Sequence, residues 1–177
     1  MPILRQIALL GNPVLRQETL TVDDTSQPLL QSLIDDMLAT VTEVNGVGIA
    51  APQVYEPLRI FIVASRPNIR YPQAPVMEPT AMLNPELIWA SDEKEKGWEG
   101  CLSIPGIRGF VPRSVKVGIR YLTRSGELRE EELSGFLARI FQHELDHLNG
   151  TVFLDRVESN RELISEKEYQ RIVTHAQ

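Results

Sequence analysis

The sequence predicts an α+β fold: mixed or antiparallel strands packed around a central helix, with one helix near the N-terminus and another near the C-terminus. Three observations lead there. A helical apolar repeat occupies an early segment, residues of alternating polarity fill the middle, and a second apolar helix follows the last hairpin. Strands grouped between helices, instead of alternating with them one by one, argue against βαβ units.

In the first helix, Leu29, Leu30, Leu33, Ile34, Met37, Leu38 and Val41 recur at three- and four-residue steps between Ser26 and Asn45. Ser26 is the expected N-cap, Pro28 belongs to the first turn, and Asn45-Gly46 supplies the stop. A strand is expected around Leu58 to Ala64, followed by an extended loop over 65–79 marked by Pro67, Pro72, Pro75 and Pro79. Further strands are expected at Ala81 to Ala90 and around Glu99 to Ile104. Val115, Val117, Ile119 and Tyr121 alternate with Lys116, Gly118 and Arg120, and Glu127 to Leu133 returns across the turn Thr123-Arg124-Ser125-Gly126 as a hairpin. The charges from Glu127 to Glu132 suit a solvated strand face. Ser134 is placed to cap the central helix, which runs through His147 and closes at Asn149-Gly150. Ser159 and Glu162 have capping-box spacing for a third helix from Asn160 to about Thr174.

No linker, repeat or low-complexity tract divides the 177 residues, so one domain over 1–177 is expected. An apolar content of 42% with 24% charged residues places the chain among globular proteins. No apolar run approaches the roughly 20 residues that cross a bilayer. Met1 to Gln6 lacks the charged start and apolar stretch of a secretory signal, which makes the cytoplasm the expected location and leaves no membrane partner. With 18 basic against 24 acidic residues the net charge is −6, which opposes broad capture of nucleic acid. The single cysteine, Cys101, excludes an internal disulfide, and on its own would be a small core residue.

Three segments carry chemistry. In Gln142-His143-Glu144-Leu145-Asp146-His147, two of the chain's three histidines stand four apart, so that on a helix both face one centre. Imidazoles ligate zinc, iron, nickel and copper, and a glutamate beside the first ligand is placed to move a proton on a metal-activated water. The surrounding Phe136, Leu137, Ile140, Phe141, Leu145 and Leu148 indicate a buried helix, on which polar groups need partners. Glu99-Gly100-Cys101-Leu102-Ser103 holds the thiol; with two histidines it makes three protein ligands and leaves a fourth position open, the layout of a catalytic site. Gly46-Val47-Gly48-Ile49-Ala50-Ala51-Pro52-Gln53 imitates a dinucleotide loop, but a helix precedes the glycines and Pro52 follows them. Small residues there suit close approach of backbone to a ligand or to the metal helix.

Together the three segments resemble the peptide deformylase family, whose pattern is glycine–apolar–glycine–apolar–Ala-Ala–any–Gln, then Glu-Gly-Cys–apolar–Ser, then Gln-His-Glu–apolar–Asp-His. The resemblance spans nearly the whole chain. It implies a metal-dependent hydrolase that removes the N-formyl group from the N-terminal methionine of new polypeptides and releases formate. It implies Cys101, His143 and His147 as ligands to one divalent ion, Fe2+ foremost, with Zn2+, Ni2+ or Co2+ as substitutes. Glu144 would be the general base and acid, Gln53 and the Leu102 N–H the oxyanion hole, and Gly48 a backbone contact to substrate. Ile49 and the start of the metal-binding helix would border the methionine pocket, and Arg108 would lie near the cleft. Substrate backbone would pair with strand edges near Gly46 to Gln53 and Gly106 to Phe110. The implied partners are N-formylmethionyl nascent peptides, with transient ribosome contact and no nucleic acid needed for catalysis.

Arg139 departs from the pattern, standing where an apolar pocket residue is common. It is expected at the pocket rim, its stem lining the wall and its guanidinium reaching solvent. Two rival readings stay open at this point. A zinc metalloprotease shares the His-Glu-x-x-His arrangement and would take Glu166 or Glu168 as a downstream ligand. A non-catalytic metal-binding module is the other, although it would need neither Glu144 nor Gln53. His175 is expected to be a solvated tail residue and Trp98 a packing residue.

Overall fold

Why the apolar stripe of the first helix and the runs of the early strands belong together is clear from the computed structural model, which describes residues 1–175. Helix α1 (Pro28–Glu43) buries Leu30, Leu33, Ile34, Met37 and Val41. Its N-cap is Gln27, one residue later than Ser26, because Pro28 presets the first helical φ while Ser26 is held in a turn by Asp24 Oδ1. Asn45-Gly46 ends the helix as expected. Asn45 takes a left-handed φ of 51°, and the N–H groups of Asn45 and Gly46 reach back to Thr42 O and Val41 O at 3.2 and 2.8 Å. That double closure satisfies the last carbonyls.

Strands β1 (Gly48–Ala50), β2 (Ile60–Val63), β3 (Thr80–Ala90), β6 (Lys116–Leu122) and β7 (Leu128–Ser134) form one sheet in the order β1-β2-β3-β6-β7. A second sheet has the order β4-β5-β8, from β4 (Lys94–Cys101), β5 (Ile104–Ser114) and β8 (Leu163–Ser165). Every pairing in both sheets is antiparallel. Helix α2 (Gly135–Leu148) packs on both sheets, and α3 (Glu166–His175) closes the described chain. The α+β architecture around a central helix is therefore as predicted.

Strand β2 shows how the core is divided. Side chains alternate across a strand, so Ile60 and Ile62 join the cluster under α1, while Phe61 and Val63 join Ile140, Phe141 and Leu148 of α2. Phe61 meets Phe141 edge-on at 5.3 Å between ring centres. Both faces being covered, the strand is apolar throughout. By contrast β7 is covered on one side only at Leu133, and its glutamates are exposed as expected.

Three expectations need correction. Glu99 to Ile104 is not one strand: β4 ends at Cys101, Leu102-Ser103 turns, and Ile104 pairs back onto Cys101. The third helix does not start at Asn160. Ser159 caps a single 3-10 turn (Asn160–Glu162), after which Leu163 to Ser165 add to β5 as β8, and α3 begins only at Glu166. An open edge of β5 outcompetes the local helix signal, and Glu162 pairs with Lys96 instead of capping. Ser134 does stand at the N-cap of α2, but its side chain makes no capping bond. The side chain of His175 lies outside the described part of the chain. Trp98 packs against Phe110 and Tyr169, as expected. Among the described residues no helix is long and apolar enough to cross a membrane.

Candidate metal centre

One side of α2 carries Phe136, Arg139, Ile140, His143 and His147, spaced so that they share a face. The rings of His143 and His147 stand 5.2 Å apart, centre to centre. Cys101, at the end of β4, faces them from the second sheet, with Sγ 3.3 Å from His147 Nε2. One donor atom from each of Cys101, His143 and His147 lies within 4.8 Å of the other two, close enough for one ion to reach all three. Glu166 and Glu168 are elsewhere: the first is bonded to Arg108 and the second to Arg171.

Glu99 sets the orientation of His143. Its Oε2 lies 2.9 Å from His143 Nδ1, so an ionised Glu99 accepts the Nδ1 proton and leaves the Nε2 lone pair for a metal. Burial alone would raise the Glu99 pKa. Arg113, donating through Nε and Nη2 at 2.9 Å each, and His143 overcome that and hold the carboxyl well below its usual range. Arg113 Nη1 also donates to Asp146 Oδ2 at 2.6 Å, and Asp146 Oδ1 accepts from Arg156 Nη2 at 2.6 Å.

Burial likewise pushes the Cys101 thiol up, but His147 and His143 outweigh it and bring it to about 5, so the sulfur is a thiolate at neutral pH. Glu144 moves the other way. Burial pushes its carboxyl up to about 7, against the pull of both imidazoles. A group there gains and loses protons near neutral pH. Its Oε2 is buried without a partner, as is His147 Nδ1. A thiolate, two imidazoles and an unpartnered carboxylate oxygen beside them fit a catalytic divalent ion with an open position.

The rest of the site comes from the small-residue segment. A Cβ on Gly48 would lie 2.9 Å from Glu144 Cδ, so β1 rests directly on that carboxyl group. Buried Gln53 is locked by its own Oε1 accepting from Ala50 N at 2.9 Å, which aims Nε2 at Ser103 Oγ and Cys101 Sγ, 3.2 and 3.4 Å away. Because the β4–β5 ladder closes at Cys101 and Ile104, the Leu102 N–H falls outside the pairing. Gly48, Gln53, Cys101, Leu102, His143 and Glu144 all line one cleft of about 470 Å³.

Two predicted substrate contacts are placed differently. Ile49 is buried in the cluster beneath α1 and does not line the cleft; alternation along β1 turns it away once Gly48 faces in, and Val47 takes the wall position. Arg108 lines the cleft, but its head is occupied: Nε and Nη2 donate to Glu166 at 2.6 and 3.2 Å, and Nη1 donates to Tyr71 Oη at 2.8 Å. It ties α3 to the 65–79 loop. Arg139 does border the cleft as expected, but its guanidinium is not free: it is bonded to Glu99 Oε1 and to the carbonyls of Val111 and Glu95 at 3.0, 2.8 and 2.6 Å, the last of these at the surface. The expected substrate pairing near Gly106 to Phe110 meets β8, which already covers Ile107 to Gly109; of the four edge strands, the two that line the cleft are β1 and β4.

Glu99, Arg113 and Asp146 were not among the predicted site residues. Asp146, an acid between two ligands on an apolar helix, was the available signal for a buried cation. Which arginine answers it depends on β5 crossing α2, which spacing along the chain does not encode.

The family profile for polypeptide deformylase matches residues 4–162. Peptide deformylase 2 of a Nostoc species is 57% identical over 173 residues, covering 98% of this chain and 97% of its own. Peptide deformylase 2 of Shewanella oneidensis is 49% identical over 150 residues, 85% and 82% of the two chains. Among solved structures, a class I type b peptide deformylase from Acinetobacter baumannii, bound to Met-Ala-Ser, superposes with a TM-score of 0.86 at 48% identity, covering 89% of this chain and 100% of that one. The peptide deformylase of Thermotoga maritima gives 0.79 at 37% identity, with 88% and 99% covered.

Proposed function

Since the chain belongs to the polypeptide deformylase family, whose enzymes remove the N-formyl group from newly made polypeptides, we propose how its own residues carry that hydrolysis. Cys101, His143 and His147 hold one divalent ion, and ferrous iron is the ion we assign, with zinc, nickel or cobalt as replacements. The convergence of those three donors beside the unpartnered Glu144 Oε2 is the observation that carries the reading. A bound divalent ion supplies Lewis acidity and makes water a nucleophile near neutral pH.

Glu144 takes the proton of the attacking water and later returns it to the departing amine, a task suited to a carboxyl held near neutrality. Gln53 Nε2 and the Leu102 N–H donate to the oxygen that gains charge; each such donor is typically worth ~3–4 kcal/mol of the barrier. Gly48 lets the peptide backbone come close to Glu144, and the free edges of β1 and β4 hold that backbone extended. The methionine side chain enters between Val47 and the face of α2 formed by Phe136, Arg139 and Ile140. Arg108 shapes the far end of the cleft through Glu166 and Tyr71. A formyl carbon bears only hydrogen, so a narrow centre excludes acetylated termini and internal peptide bonds by size.

The whole of 1–177 is one catalytic domain in this reading. Its partners are N-formylmethionyl chains, met in the cytoplasm as they leave the ribosome, with any ribosome contact transient. Metal content after anaerobic purification, measured alongside formate release from a formyl-methionyl peptide, tests the assignment. One iron per chain with turnover is expected; a metal-free active enzyme would overturn it.

A further inference from the structure

Arg139 separates two hollows. The cleft of about 470 Å³ is lined on one side by Phe136 and Arg139. A second hollow of about 180 Å³ is lined by the same two residues, together with Lys96, Gly97, Arg113, Ser114 and Val115, and includes exposed Glu95 and Gly135. Phe136 and Arg139 thus stand together between the cleft and a second opening beside β4, and Arg139 is the part of that partition that reaches across to β4.

The partition is fixed in place. Its guanidinium is bonded to acceptors on β4 and β5, at 2.6 Å from Glu95 O, 2.8 Å from Val111 O and 3.0 Å from Glu99 Oε1. Gly97 makes the fit possible, because a Cβ there would stand 2.8 Å from Arg139 Cζ. A planar fork held at several acceptors has little freedom to swing aside. Nor is it the sole partner of Glu99, which keeps both bonds from Arg113 when Arg139 is shortened.

We infer that Arg139 is a specificity-determining residue that stops the methionine pocket, fixing how long a side chain next to the formyl group the enzyme accepts. This rests on the deformylase reading of the cleft. With Arg139 cut back, the pocket runs through into the second hollow, and a side chain longer than methionine has somewhere to go.

Two formyl-tripeptides test it, one beginning with methionine and one with the same thioether lengthened by four methylenes. The wild-type enzyme is expected to favour methionine strongly. In Arg139→Ala the ratio of kcat/KM, long over methionine, should rise at least about 10-fold, the scale on which pocket size discriminates apolar side chains. Arg139→Leu, an apolar helix former of intermediate size, should raise it less, and decides the matter alone if the alanine variant does not fold. An unchanged ratio in the variants, or an equal loss on both substrates, would overturn the inference and leave Arg139 as a staple between α2 and β4. Wild-type enzyme that releases no formate from the methionine peptide would instead sink the deformylase reading itself.

Discussion

Beneath the metal centre, Arg113 lies between Glu99 and Asp146, with the three side chains only 6%, 4% and 8% exposed. At the far edge of the larger sheet, Arg120 sits directly across from Glu130 at 2.7 Å, with side chains 44% and 55% exposed. The bond lengths are alike, yet the pairs do different things. Around Arg113, removing the arginine leaves two buried carboxylates short of a cation where water cannot replace it. Around Arg120, water and salt replace a lost partner at once. What an ion pair contributes is thus set by its surroundings more than by its geometry, and here the costly arrangement is the one that orients a metal ligand.

The contrast can be pressed hardest through chemistry. Glu144→Gln is expected to lower formate release about 10²–10⁴-fold while metal content and thermal midpoint stay near wild type. Arg120→Ala, by comparison, should leave turnover unchanged; full turnover in the Glu144 variant would remove that residue from its role.

Next comes stability. Arg113→Met should cost about 3–5 kcal/mol in urea unfolding, because it leaves two buried carboxylates without their shared cation. A loss under ~1 kcal/mol, the scale of an exposed pair, would erase the distinction between the two regions.

Acid gives a third handle. The Glu99 carboxyl has its pKa lowered in the folded protein from an ordinary 4.5, so its contribution is fully present above about 4.5 and is lost as pH falls from there through the depressed folded value. Unfolding followed between neutral and strongly acidic pH should therefore show wild type losing more stability than Glu99→Gln. Parallel curves would contradict the coupling. The smallest effect belongs to the hairpin: Arg120→Ala should change stability by less than ~1 kcal/mol, and high salt should hide even that.

Local patterns were readable and long-range ones were not. Helix α1 and the β6–β7 hairpin announce themselves because periodicity, Pro28, Asn45-Gly46 and Gly126 act within a few residues of chain. The metal ligands were readable for the same reason, since His143 and His147 are joined by helix geometry. Strand β5 is hidden by Pro105, Gly106 and Pro112, turn-type residues it tolerates because β8 covers only Ile107 to Gly109, and by Gly109, where a Cβ would stand 2.9 Å from the Phe153 ring. The start of α3 was misplaced because Leu163 and Ile164 answer to a strand edge far away in sequence. Ile49 belongs to the core and not to the pocket, as simple alternation from Gly48 requires.

The contact between Gly48 and Glu144 has a consequence for how this enzyme can vary. A hydrogen atom is all that fits where the strand meets the carboxyl group. Adding even a methyl would lift the strand or rotate the acid, and either movement separates the proton carrier from its water. Libraries randomised at this codon should return glycine alone among active clones under any substrate selection, making it a fixed point around which the remaining cleft is free to diversify.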